Sequence, residues 1–163
     1  MENGIDSAFH KIRKSATLPC TTVIMGKDTK KSCEVLFTVP FHDLDPMQMV
    51  WHGNYFKYFE IARSSLFARS GVDLFKYFKE TNCLFPIVKT STKHVASLEY
   101  LDEFKCIATV IEAEYKIVVD FQVRLLRNDQ LCAKGRTEQV AVKYPEKEIL
   151  FEIPKDIREA LGF

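Results

Sequence analysis

The feature that most constrains this chain is a change of period at residue 54. Upstream, "CEVLFTVPF" (33–41) is dominated by β-branched and aromatic residues, with Pro40 near its end, and predicts a strand. From Asn54 the apolar positions shift to helical spacing: Tyr55, Tyr58, Phe59, Ala62 and Leu66, with Gly71 as the C-terminal stop. Asn54 is the candidate N-cap. Phe56, Ile61 and Phe67 fall off that stripe, so the helix is apolar nearly all round and should be covered on more than one side.

The C-terminal half of the chain must supply the cover. A shorter helix is expected over 72–80. Strand-like runs then occupy 84–97 (after Pro86), 103–115, 116–128 and 130–144. In the third, Val119, Phe121, Val123 and Leu125 alternate with Asp120, Gln122 and Arg124. Asn128-Asp129 supplies a turn, and 153–163 reads as a short helix between Pro154 and Gly162. The expectation is an α+β fold, an antiparallel sheet of about five strands wrapped around one long central helix. The sheet's other face must meet solvent or a second subunit.

At 163 residues the chain fits one domain, able to bury about two thirds of its unfolded surface. A net charge of +1 gives no global field for nucleic acid or an anionic membrane. No apolar run approaches the roughly 20 residues that span a bilayer. Residues 1–14 carry no signal-peptide core, which favours a cytoplasmic location. Residues 1–32 read as an N-terminal arm with a short β-like run and a Gly-Lys-Asp turn, and 33–163 as the domain. The five cysteines (Cys20, Cys33, Cys83, Cys106 and Cys132) are odd in number and lack CxxC spacing, so reduced, packed thiols are expected. Thirteen phenylalanines predict an aromatic core or cavity.

Between strand and helix lies "HDLDPMQMVWHGNY" (42–55), a concentration of polar chemistry. Pro46 pushes Asp45 toward extended geometry, so Asp45 belongs to a loop. The helix start near His52, Gly53 and Asn54 exposes amides without internal acceptors, and the macrodipole adds about half a positive charge there. A carboxylate beside such amides has the parts acyl transfer needs: a nucleophile or base, and donors for the developing oxyanion. Asp before Pro is also ordinary turn chemistry. His42, Asp43, Asp45 and His52 fit no helical or strand face as metal ligands, so no metal is expected. Glu60 and Arg63, at i and i+3, read as an ion pair at a surface or interface. Asp43 and His94 read as structural, and Trp51, Met47 and Met49 as core or pocket wall.

The run "Asp43-Leu-Asp45-Pro…Val50-Trp51-His52-Gly53-Asn54-Tyr55…Phe59-Glu60-Ile-Ala62-Arg63" resembles the signature of the hotdog-fold acyl-CoA thioesterases, in the 4-hydroxybenzoyl-CoA thioesterase-like group. "His94-Val-Ala-Ser97-Leu-Glu99-Tyr100-Leu-Asp102-Glu103-Phe104" resembles that group's second block. The likeness covers about residues 34–145. It implies the hotdog fold, sheets paired edge to edge in a homodimer or homotetramer, and a thioester hydrolase acting at the subunit interface on acyl-CoA or an acyl-carrier thioester. It implies Asp45 as catalytic nucleophile or general base, the His52 backbone amide as carbonyl polariser, and Asn54 as the residue holding the loop to the helix. Two further expectations attach to it: Trp51, Met49, Tyr55 and Glu60 contact substrate, and Lys93, Arg124, Arg127, Lys134 or Arg136 meet the coenzyme A phosphates. No cofactor is implied. The sequence departs from the group at Met47-Gln48, where a small Ala-Gly pair is common, and at Ser97, where a Pro is usual. The first departure leaves a non-catalytic acyl-CoA-binding or assembly module as the alternative. A dehydratase or hydratase on the same fold is a third reading, disfavoured because such sites pair Asp and His differently.

Overall fold

The structure, a computed structural model, describes residues 21–23 and 31–163. The chain runs β1 (Thr21–Val23), β2 (Ser32–Thr38), a 3-10 turn (Phe41–Asp43), α1 (Asn54–Arg69), α2 (Leu74–Thr81), β3 (Cys83–Leu84), β4 (Ile87–His94), β5 (Glu103–Glu112), β6 (Ile117–Leu125), β7 (Leu131–Gln139), β8 (Val142–Lys143), β9 (Glu148–Ile149) and α3 (Lys155–Ala160). The expected α+β layout is present. The main sheet is antiparallel throughout, in the order β1-β2-β5-β6-β7-β4. It is one strand wider than expected because β1, three residues of the arm, pairs with β2. The rest of the arm up to residue 30, with its Gly-Lys-Asp turn, lies outside the described residues.

The run expected as one strand over 130–144 is divided. β7 stops at Gln139, and β8 pairs instead with β3 in a small second sheet, β3-β8-β9. Pro86 has no N–H to give across the ladder at that point. The Gln139 amide side chain donates to the Phe85 carbonyl at 2.6 Å, and the Val140 amide to the Pro86 carbonyl at 3.3 Å, fixing the bend.

Helix α1 lies against the sheet through aromatic residues. Phe59 stacks on Phe121 of β6, centroids 4.7 Å apart, while Tyr58 meets Phe37 of β2 and Phe104 of β5. Gly135 of β7, paired with Phe121, makes the close approach possible: a Cβ there would stand 2.4 Å from the Phe59 ring. The expectation of cover on more than one side is met in part. Phe67 is buried and Ile61 half-buried, but Phe56 is 43% exposed. The sheet curls beneath one broad face of α1, and α1's opposite face keeps its polar residues in solvent.

The alternation on β6 is as expected: Val119, Phe121, Val123 and Leu125 are buried, while Gln122 is exposed and Asp120 and Arg124 are partly exposed. Cys33, Cys83, Cys106 and Cys132 are free and buried; Cys20 lies outside the described residues. β4 forms one edge of the sheet and is exposed at all but one of its positions.

Candidate active site

Residues 43–51 form a tight hairpin ahead of α1. The Asp45 amide donates to the Met49 carbonyl at 2.8 Å, the Gln48 amide to the Asp45 carbonyl at 2.9 Å, and the Trp51 amide to the Asp43 carbonyl at 2.9 Å. Leu44 and Val50 bridge between these bonds. The turn runs through Pro46 and Met47, and Gln48 takes a φ of 62°, a conformation in which glycine is unstrained. Gln48 at the departure from the family pattern therefore still closes the turn in a glycine-like form.

Asp45 does cap this turn, since its Oδ1 accepts from the Met47 amide at 2.8 Å. It also lines a cavity of about 730 Å³, with Met47, Met49, Phe41, Glu99 and Tyr100 among the other walls. The far side of the cavity is fixed by three contacts. Met49 bridges to Glu99, the Val50 amide donates to the Leu98 carbonyl, and the Glu99 amide donates to Asp102 Oδ2 at 2.9 Å. Phe41 and Tyr100 meet edge to face at the rim, centroids 5.9 Å apart. Among the described residues, no cation stands within ion-pair distance of Asp45.

The carboxylate fastened to α1 is Asp43. It is buried, and it accepts from the Tyr58 hydroxyl and the Lys57 ammonium. Its carbonyl takes the Asn54 side-chain amide at 3.0 Å as well as the Trp51 amide. This corrects the expectation for Asn54 as N-cap. The cap position is Gly53, with helical dihedrals and no side-chain bond, because the Asn54 side chain reaches back to the hairpin. Replacing Asp43 with Ala removes the buried carboxylate that accepts from the Tyr58 hydroxyl and the Lys57 ammonium. It is expected to lower stability by about 2–3 kcal/mol, discounted for the half-exposed Lys57, and to reduce the urea midpoint at unchanged m value.

At the helix start, no acceptor is found for the His52 and Gly53 amides among the described residues. The Trp51 ring covers Gly53 so closely that a Cβ there would lie 2.2 Å from it. The His52 side chain is exposed beside Trp51. Tyr55 is buried against His94, ring centroids 4.6 Å apart. Burial, with a smaller effect from the Cys132 thiol, pushes the Tyr55 phenol up to about 12, so it stays protonated at neutral pH. Partial desolvation, and then His52, hold His94 below the usual imidazole range. Glu60 pairs with Arg63 two turns along α1.

Of the residues singled out in sequence, Asp45, Met47 and Met49 line the main cavity. Trp51, His52 and Asn54 occupy the segment joining it to α1, Tyr55 turns into the core, and Glu60 stands apart. Sequence reasoning did not single out Phe41 or Tyr100; the signal was the second sequence block, whose acidic turn presents Tyr100. The candidate phosphate cations separate as well. Arg124, Arg127 and Arg136 are paired with Asp129, Asp102 and Asp120, whereas Lys93 and Lys134 face each other across β4 and β7.

A family model described as the thioesterase-like superfamily matches residues 39–161. A crystal structure of a 1,4-dihydroxy-2-naphthoyl-CoA thioesterase from Synechocystis superposes with a TM-score of 0.74 at 18% identity, covering 80% of this chain and 95% of that one. The 4-hydroxybenzoyl CoA thioesterase of Pseudomonas sp. strain CBS-3 superposes with a TM-score of 0.71 at 22% identity, covering 80% and 99%. A Synechocystis sp. protein, named an esterase only provisionally, is 25% identical over 135 residues, spanning 82% of this chain and 80% of its own. The matched span takes in the Asp45 hairpin, α1 and strands β3 to β9. The chain has the hotdog fold and belongs to the thioesterase-like superfamily of enzymes.

Proposed function

We propose that the protein hydrolyses acyl-CoA thioesters, or the equivalent thioesters of an acyl carrier, with Asp45 as the catalytic carboxylate. The observation that carries this reading is Asp45 itself, fixed by its turn at the wall of a ligand-sized cavity and held by no cation among the described residues. The carboxylate either attacks the thioester carbon, expelling the thiolate and leaving an anhydride that water opens, or takes a proton from an attacking water. Both routes end in a carboxylic acid and a free thiol. The amides at His52 and Gly53, without an acceptor among the described residues, supply donors for the carbonyl oxygen as charge builds on it. Asn54 and Asp43 hold hairpin and helix in one frame.

The reading includes a homodimer or homotetramer in the cytoplasm. The open edge of β4, with Ile87 and Val88 exposed, offers the surface on which a second copy extends the sheet. Substrates are drawn from the thioesters named for the solved neighbours, 4-hydroxybenzoyl-CoA and 1,4-dihydroxy-2-naphthoyl-CoA, and from aliphatic acyl-CoAs. The test is release of free thiol from such a panel by the purified protein. Stoichiometric thiol and acid from at least one member is expected. Acyl-CoA recovered intact and protein-bound after hours would favour the non-catalytic binding module instead.

A further inference from the structure

Asp45 belongs to a rung of three residues. It stands opposite Met49, to whose carbonyl its amide donates, and Met49 bridges in turn to Glu99. The neighbouring rung is Leu44, Val50 and Leu98, and it packs on the core. Opposed residues share a face and successive ones alternate, so Asp45, Met49 and Glu99 point away from the core, and all three line the main cavity. Opposed Cα atoms lie about 5 Å apart, which sets Asp45 and Glu99 about 10 Å from each other with Met49 between. They are the two carboxylates that line this cavity. Among the described residues the Glu99 carboxylate accepts no hydrogen bond and meets no cation. Residue 99 is fixed through its backbone instead: its amide donates to Asp102 Oδ2, and its carbonyl accepts from the Asp102 amide. Its side chain is exposed, so solvent water reaches it.

We infer that Glu99 is a second catalytic carboxylate, the base that activates water against an acyl group carried by Asp45. The inference rests on the thioesterase reading and decides between its two routes. Asp45 gives one oxygen to the Met47 amide and keeps the other for attack. That oxygen bonds to the thioester carbon, and the C–S bond breaks with its electron pair leaving on the thiolate, which solvent protonates. Asp45 is then part of an anhydride and cannot itself act as a base. Glu99 takes a proton from water as the water oxygen bonds to the anhydride carbon. The C–O bond to Asp45 breaks, the Asp45 carboxylate is restored, and Glu99 passes the proton to solvent. Spacing supports this division of roles. Carboxyl groups about 6.5–9.5 Å apart leave room for a water between them, and side chains leaning together from Cα atoms about 10 Å apart reach that range.

The test is rapid-mixing thiol release by wild type, Glu99→Gln and Asp45→Asn, with whichever acyl-CoA of the panel wild type turns over fastest. Glu99→Gln keeps the backbone bonds of residue 99 and should melt as wild type does. It is expected to release about one thiol per site in a fast phase and then to turn over at least about 100-fold more slowly than wild type. Acyl groups should accumulate on Asp45, seen as added mass in the intact protein. Hydroxylamine, which attacks an anhydride without a base, should restore thiol release in Glu99→Gln above its uncatalysed reaction with the thioester, but not in Asp45→Asn. A Glu99→Gln enzyme as fast as wild type, or a slow one with neither fast phase nor hydroxylamine rescue, would overturn the inference and leave the hydrolase standing. A wild type that releases no thiol from any member of the panel would overturn both.

Discussion

Asp45→Asn is expected to lower kcat for thioester hydrolysis by at least about 100-fold, within the 10²–10⁴ range of a positioned acid–base group, with little change in KM or melting temperature. The substitution keeps what Asp45 does for the fold. An amide oxygen can still accept from the Met47 amide, and the backbone bonds to Met49 and Gln48 do not involve the side chain. It removes the negative charge, and with it both the nucleophile and the base. The measurement is steady-state thiol release beside a thermal melt of the same sample. Loss of rate with an unchanged melt assigns the effect to chemistry rather than to the turn.

Phe59→Ala is expected to cost about 3–5 kcal/mol of stability and to lower the melting temperature by roughly 10 °C. Phe59 is among the largest fully buried side chains, and it fills the space that Gly135 leaves between α1 and the sheet. Its ring stacks on Phe121, so truncation opens a cavity at the centre of the helix–sheet contact. A single cooperative transition at lower temperature, by circular dichroism, is the expected observation.

The periodic parts of this fold were legible in the sequence. The spacing of Tyr58, Phe59, Ala62 and Leu66 identifies the buried face of α1, and the alternation from Val119 to Leu125 identifies the inner face of β6. Both follow from local geometry, in which neighbouring residues report on one face. Features that depend on residues far apart were not legible. The end of β7 is set by Pro86 and by Gln139 reaching Phe85, and the partial exposure of Phe56 by how far the sheet curls. Asn54 reads as a cap from its own neighbours, yet a carbonyl eleven residues upstream draws its side chain away. Within the site, the loop position of Asp45 followed from Pro46. The cavity before it did not, because Tyr100 and Glu99 arrive from the segment between β4 and β5.

The most direct measurement of the central proposal is a crystal structure of the Asp45→Asn variant with an intact acyl-CoA bound. The thioester carbon is expected within about 3.5 Å of the side chain at position 45. The carbonyl oxygen is expected about 3 Å from a backbone amide at the start of α1. A thioester seated elsewhere, or one whose carbonyl meets only solvent while position 45 points away, would contradict the proposal.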